Sequence, residues 1–259
     1  MSTHPPRLLI VGLDGATFDL IEPWVRVGEL PNLARLIRGG SIGRLASTVP
    51  AVTLPAWSSF LTGKNLGKHG IFDFSVHLPE SYGLRFVNAS DRVGPTFWRL
   101  LSQAGRRVCS LWVPATYPPE LVNGIVVSGF DSPVARTMDA SFVYPAELFG
   151  ELRNAVGALR LGVLQQFRIG PGWHERALAK LLDGMETKAR LAEHLLTRGP
   201  WDCFMVVFGE SDTVAHHFWM FHDPDSPRRI PGESGVLRDA IRLVYRRLDA
   251  IVGRLLALV

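Results

Sequence analysis

Three short runs in this 259-residue chain place groups capable of chemistry at the ends of apolar stretches. Asp14 closes Val11-Gly12-Leu13-Asp14-Gly15, and the flanking glycines leave room for a metal to approach its carboxylate. Thr53 lies in Val52-Thr53-Leu54-Pro55-Ala56-Trp57, where a helix begins. Backbone N–H groups and the helix dipole there point at whatever the hydroxyl holds, which favours an anion such as phosphate. Asp212 and His216 belong to Ser211-Asp212-Thr213-Val214-Ala215-His216, after the apolar run Phe204 to Phe208. On a helix their spacing puts carboxylate and imidazole on one face. Oxygen and nitrogen ligands of this kind suit zinc, manganese or iron. A carboxylate, a hydroxyl nucleophile and an Asp/His pair are the parts of a metal-assisted phosphoryl hydrolase.

Each group also has a purely structural reading. Asp14 suits an N-cap for a helix from Ala16 onward, and Thr53 suits the same role for Leu54 to Thr62. A Thr hydroxyl is a weak nucleophile unless a metal or base lowers its pKa. His216-His217-Phe218-Trp219 also reads as an aromatic core edge, with His217 pointing away from its neighbour. His69, between Gly67-Lys68 and Gly70, reads as a structural hydrogen-bonding histidine in a tight turn, and Lys64 and Lys68 as surface lysines.

The elements that must position these residues alternate between strand-like and helix-like segments. Leu8 to Val11, Ser41 to Val49, Arg107 to Val113, Ile125 to Phe130 and Cys203 to Phe208 read as strands. Ala16 to Trp24, Leu30 to Arg38, Leu54 to Thr62, Thr96 to Gln103, Trp173 to Thr197 and Gly235 to Val259 read as helices. This order predicts one α/β domain over residues 1–259 with a mostly parallel sheet flanked by helices. Excursions are expected at about 74–95 and 131–173, where turn formers and Ser132-Pro133 and Tyr144-Pro145 fall. Ligands in such folds gather at the carboxyl ends of strands, where Asp14 and Asp212 stand.

Composition narrows the class further. With 47% hydrophobic and 20% charged residues, the chain is globular and not disordered. A formal charge of +4 with only paired arginines (Arg106-Arg107, Arg228-Arg229, Arg246-Arg247) gives no basic run that argues for nucleic acid. Cys109 and Cys203 sit inside apolar runs and read as buried small hydrophobes, which suits a cytoplasmic protein. No stretch approaches the roughly 18 apolar residues of a membrane span, and no signal peptide is evident, so no membrane partner is expected.

Taken together, Leu8 to Thr17, Pro50 to Gly63, His69 to Phe74 and Val206 to Trp219 resemble the alkaline phosphatase superfamily, in its type I phosphodiesterase and nucleotide pyrophosphatase branch. Phe97 to Leu101, Val113 to Pro118 and Val127 to Phe130 extend the resemblance over most of the chain. It implies an alkaline phosphatase-like fold and a hydrolase with two divalent metals, zinc or manganese, acting on a small phosphoester. Asp14 and Thr53 would ligate one ion, and Asp212 and His216 the other. Thr53 would attack phosphorus in line and form a phospho-threonine that water then hydrolyses. Two ions roughly 4 Å apart would stabilise the attacking and leaving oxygens.

The sequence departs from the family pattern twice. The family completes its metal sites with an Asp-His pair and a later His, and this sequence contains no Asp-His dipeptide. The resemblance therefore implies the N-terminal part of a longer enzyme, with a C-terminally incomplete fold. Nucleotide pyrophosphatases also place an Asn where this chain has Phe74, and Phe cannot donate that hydrogen bond to phosphate. Trp57 and Phe74 instead fit either an apolar pocket for a leaving group or core packing. The competing reading is a non-catalytic α/β domain that binds a metal or an anion. A dinucleotide-binding domain lacks its G-x-G-x-x-G here, a sulfatase lacks its Arg after Thr53-Leu54-Pro55, and a cofactor-independent phosphomutase would use a Ser nucleophile.

Overall fold

The computed structural model describes residues 7–129, 138–159, 164, 170–229 and 235–259. The first half of the chain forms β1 (Leu8–Leu13), α1 (Phe18–Arg26), α2 (Pro31–Gly39), α3 (Thr53–Thr62), α4 (Leu66–His69), β2 (Ser75–His77), β3 (Leu84–Phe86) and α5 (Phe97–Gln103). Then follow β4 (Val108–Leu111), β5 (Gly124–Val127), β6 (Val143–Tyr144), α6 (Leu148–Val156), α7 (Trp173–Thr197), β7 (Cys203–Phe208), α8 (Glu210–His222), α9 (Gly235–Arg238) and α10 (Ala240–Leu256). The chain divides into two compact units. The first comprises Met1–Ile10, Arg44–Leu161 and His194–Val207, and the second Val11–Gly43, Gly162–Glu193 and Phe208–Val259.

The main sheet has the order β1-β7-β4-β5-β6. β4 pairs in parallel with both β5 and β7, and β6 runs antiparallel to β5. This is the mostly parallel α/β sheet that the alternating segments predict. Parallel strands carry cover on both faces, so they read as unbroken apolar runs. All of Val108–Leu111 and Cys203–Phe208 is buried accordingly. In the first unit Leu61, Trp98, Val108, Val113, Val126, Met205 and Val207 form one core, with Trp57 packed against it. A smaller core joins Leu54, Ile71, Val87 and Ala115, with Phe74 packed against it. Cys109 and Cys203 are buried free thiols; burial pushes both up, Cys203 to about 11.

The second unit is built on α10. Its Ile241, Val244, Tyr245, Leu248, Ile251, Val252 and Leu255 are buried at helical spacing, and the helix packs against α8 and α2. Arg254 binds Glu186 and Glu193 of α7, with its Nε 2.6 Å from Glu193. None of the described helices is long and apolar enough to cross a membrane.

Several segments differ from the expectation. Residues 41–48 form no strand; Leu45 and Val49 are 91% and 92% exposed. An apolar alternation becomes a strand only when a ladder partner takes its backbone groups, and no described segment pairs with this one. The helix read over Ala16 to Trp24 begins instead at Phe18, because Thr17 caps it by accepting from Asp19 N at 3.2 Å. The long terminal helix breaks at Asp239 into α9 and α10. The 74–95 segment holds the β2–β3 hairpin. Of the segment 131–173 the structure describes β6, α6 and the residues beside them, while Phe130, Ser132 and Pro133 lie outside the described residues.

Candidate functional site

In the second unit, Asp14 follows β1 directly, and its N–H donates to the Phe208 carbonyl at the end of β7, at 2.9 Å. The chain then turns sharply at Gly15, with φ +64°. A side chain there would be strained, and its Cβ would sit 2.9 Å from both Cβ and Oδ1 of Asp212. Glycine is thus what lets the loop after β1 lie against the Asp212 carboxylate. The Ser211 hydroxyl donates to the Asp14 carbonyl at 2.6 Å and locks the two segments together. The cap of α1 is Thr17, not Asp14.

Asp212 and His216 share one face of α8. Asp212 Oδ1 and His216 Nε2 lie 3.4 Å apart, with the Asp212 side chain one-third exposed and His216 largely open to solvent. That separation is long for a hydrogen bond. It matches the edge of a tetrahedron whose centre lies about 2.1 Å from each corner, the bond length of zinc to imidazole or carboxylate. The pair therefore fits two corners of one ion. Among the described residues no group of three or more His, Cys, Asp or Glu side chains converges for a metal. His217 turns away and meets the Trp173 ring at 5.4 Å. Burial holds its imidazole below the ordinary histidine range, helped by His216 and His174 and opposed by Asp212.

Three groups that support this cluster leave no local mark in the sequence. The Tyr245 hydroxyl, from α10, accepts from Thr17 N at 3.4 Å, and its ring stacks edge-on against Trp24 at 5.1 Å. Burial raises its pKa; the Thr17 N–H opposes the rise and Asp212 adds to it. The Asp249 carboxylate, also from α10, accepts from Asn32 N, Asn32 Nδ2 and Leu33 N at 3.2, 2.9 and 2.7 Å. It closes the start of α2 from more than two hundred residues away. At the start of α8, Glu210 forms a buried pair with Lys188 at 2.9 Å.

Thr53 belongs to the first unit. It is the first residue of α3, not its cap: Val52 holds the N-cap position and offers no side-chain bond. This corrects the capping role read from the sequence. The cause is register: Ala56 N already reaches Val52 O at 3.0 Å, so the helix begins one residue early. Pro55 falls in the first turn, where its missing N–H leaves no helical bond unmade. The Thr53 hydroxyl makes no hydrogen bond among the described residues. Behind it α3 is held firmly. Leu54, Ser58 and Leu61 are buried, and Ser59 Oγ lies 2.9 Å from Nε2 of the fully buried His69. Ile71 N donates to His69 Nδ1 at 3.1 Å, so Nε2 carries the proton and donates to Ser59. His69 is thus a structural histidine, as its glycine setting suggests. Its pKa is lowered by burial first, then by Arg92 and Lys64, against a backbone hydrogen bond that raises it. Trp57 stacks edge-on with Phe60 at 5.7 Å, and Phe74 packs beside Leu54.

The sequence profile described as type I phosphodiesterase / nucleotide pyrophosphatase matches residues 8–259. Among solved structures, two of phosphonoacetate hydrolase from Sinorhizobium meliloti 1021 are similar, one in complex with phosphonoacetate and one with phosphonoformate. Identities are 17% and 18%, and the TM-score is 0.59 for each. The likeness covers 100% of this chain and 58% of the hydrolase chain, so the chain spans well under two-thirds of that length. At this identity the likeness establishes an alkaline phosphatase-like fold. A search of curated proteins gives no match.

Proposed function

The chain belongs to the type I phosphodiesterase / nucleotide pyrophosphatase family, and from that premise we propose that it hydrolyses a small phosphoester, of diester type, through a phospho-threonine on Thr53. The observation that carries the proposal is the unengaged Thr53 hydroxyl at the start of a rigidly held helix. The first N–H groups of a helix make no bond within it and suit a phosphoryl oxygen. Because the hydroxyl does not cap its own helix, attack on phosphorus breaks no structural bond. Asp14, Thr53, Asp212 and His216 are the residues proposed to hold divalent ions, zinc or manganese. When bound, such ions supply Lewis-acid stabilisation of charge on the phosphoryl oxygens. The 3.4 Å spacing of Asp212 Oδ1 and His216 Nε2 supports that assignment for one ion. Phe74, where an Asn would read a phosphate oxygen, argues for an aryl or other apolar leaving group over a nucleotide.

Thr53 acts in two steps, with water as the second nucleophile. Its Oγ forms a bond to phosphorus, the first ester oxygen leaves with its electron pair, and the hydroxyl proton passes to solvent or the leaving group. Water then displaces Thr53 Oγ and restores the hydroxyl. The test is acid quenching of zinc- or manganese-supplemented protein during turnover of bis(4-nitrophenyl) phosphate, followed by peptide mass mapping. A phosphoryl adduct on the Thr53 peptide is the expected result. Turnover with the adduct absent, or present elsewhere, overturns the nucleophile. Metal or anion binding with no turnover at all marks the non-catalytic binding domain instead.

A further inference from the structure

Two charged side chains of the second unit occupy core positions behind Asp212, and the chemistry assigned to Thr53 does not use them. On α7, Leu181, Met185, Lys188 and Ala192 recur at helical spacing, and all four are buried. On α8, Glu210, Val214, Phe218 and Phe221 form the matching buried stripe. Apolar residues fill the other places in both stripes. At these two, Lys188 Nζ meets Glu210 Oε1 at 2.9 Å. Packing alone does not ask for such a pair. Taking two charges out of water is costly, and their attraction recovers the cost only where every remaining polar atom is also bonded. Here that condition is not met: among the described residues the buried Glu210 Oε2 accepts no hydrogen bond. What the pair has, and an apolar contact lacks, is direction.

Glu210 opens α8, two residues before Asp212. Each residue turns the helix by about 100°, so Glu210 faces the core while Asp212 faces away from it. Ser211, between them, bonds the Asp14 carbonyl. Three consecutive residues therefore tie α8 to α7, tie it to the loop after β1, and present the carboxylate. Further along, α8 meets α7 through rings, His174 lying 5.7 Å from Phe218 and 4.8 Å from Phe221. Ring contacts tolerate sliding, whereas a charge-assisted hydrogen bond fixes a distance. The roll of α8 matters to a metal. Rolling the helix by about 10° moves an atom roughly 5–6 Å from its axis by about 1 Å. A metal–ligand bond tolerates only about 0.2 Å.

We infer that Glu210, through its bond to Lys188, is a positioning residue: it sets the roll of α8 so that Asp212 and His216 meet one ion. This role rests on the ion site proposed for Asp212 and His216. The test measures zinc affinity of the full chain by competition with a chromogenic chelator, beside the urea unfolding midpoint. The variant is Lys188→Met/Glu210→Leu, which replaces both charges at once and leaves neither buried alone. Lys188→Met/Glu210→Gln, closer in shape, serves if the first does not fold. The expected result is a urea midpoint unchanged or raised, with zinc affinity about tenfold weaker. In a His216→Ala background the same double substitution weakens zinc no further. Unchanged zinc affinity in a folded double variant overturns the role, and so does a loss of affinity that appears only together with a lowered midpoint. Asp212→Ala and His216→Ala separate the two readings. If they lose zinc and the pair variants do not, the positioning role alone fails. If they bind zinc as wild type does, or wild type binds none, the ion site fails and the positioning role with it.

Discussion

The starts of α2 and α3 differ in how their first N–H groups are answered. Each carries a proline in its opening turn, Pro31 in α2 and Pro55 in α3. At α2 the Asp249 carboxylate takes three donors and is itself 2% exposed. Its acceptor capacity is spent on structure. At α3 the N-cap residue Val52 offers no side-chain bond, and among the described residues the Thr53 hydroxyl takes no part in the helix's own bonding. A closed helix start makes scaffold; an open one that presents a hydroxyl makes a place for chemistry. The difference does not lie in local propensity, since both turns look equally helical in sequence. It lies in whether a distant carboxylate arrives.

Thr53→Ala gives the largest expected effect. Hydrolysis of bis(4-nitrophenyl) phosphate falls about a thousandfold or more, while thermal unfolding is unchanged, because the hydroxyl holds nothing in place. Loss of fold in this variant would make α3's start scaffold after all, and retained turnover would remove Thr53 from the chemistry. Next comes Asp212→Ala, measured by elemental analysis of metal-loaded protein. About one equivalent of metal is lost, and His216→Ala loses the same one, not a second. Unchanged stoichiometry in both variants contradicts the shared ion.

Asp249→Ala is expected to cost about 2–4 kcal/mol in urea unfolding, because it leaves buried N–H groups of α2 without acceptors. A loss below about 0.5 kcal/mol would show that water closes α2 equally well and erase the contrast between the two helix starts. The smallest effect is a pH slope. His69 has its folded pKa depressed below the model-peptide value near 6.5, by burial and by Arg92. The unfolded chain then binds more protons at that residue, so stability is full above about pH 6.5 and declines as pH falls toward the folded pKa. His69→Gln removes that share of the slope. Parallel stability–pH curves for wild type and variant between about pH 5 and 7 would contradict it.

Much of this could be read in the chain because the signals were local. Asp14 stands next to its strand, Asp212 and His216 share a helix face through a spacing visible in the letters, and the buried strands announce themselves as unbroken apolar runs. The supports were not legible. Ser211, Tyr245 and Asp249 act on residues about two hundred positions away, and nothing near them marks the partner. Two local signals also misled. Ser41 to Val49 has strand composition but no described ladder partner, and Thr53 looks like a cap while Val52 occupies that position. In both, the backbone's hydrogen bonds decided the outcome and the side-chain pattern did not.

The two cysteines carry a practical consequence. Cys109 and Cys203 lie on neighbouring strands of the first unit, each 2% exposed or less, with thiols that burial keeps protonated at neutral pH. An alkylating reagent in solution meets neither while the sheet is closed. Each labelled thiol therefore records one opening of the sheet, and the labelling rate is a clock for how often the strands part.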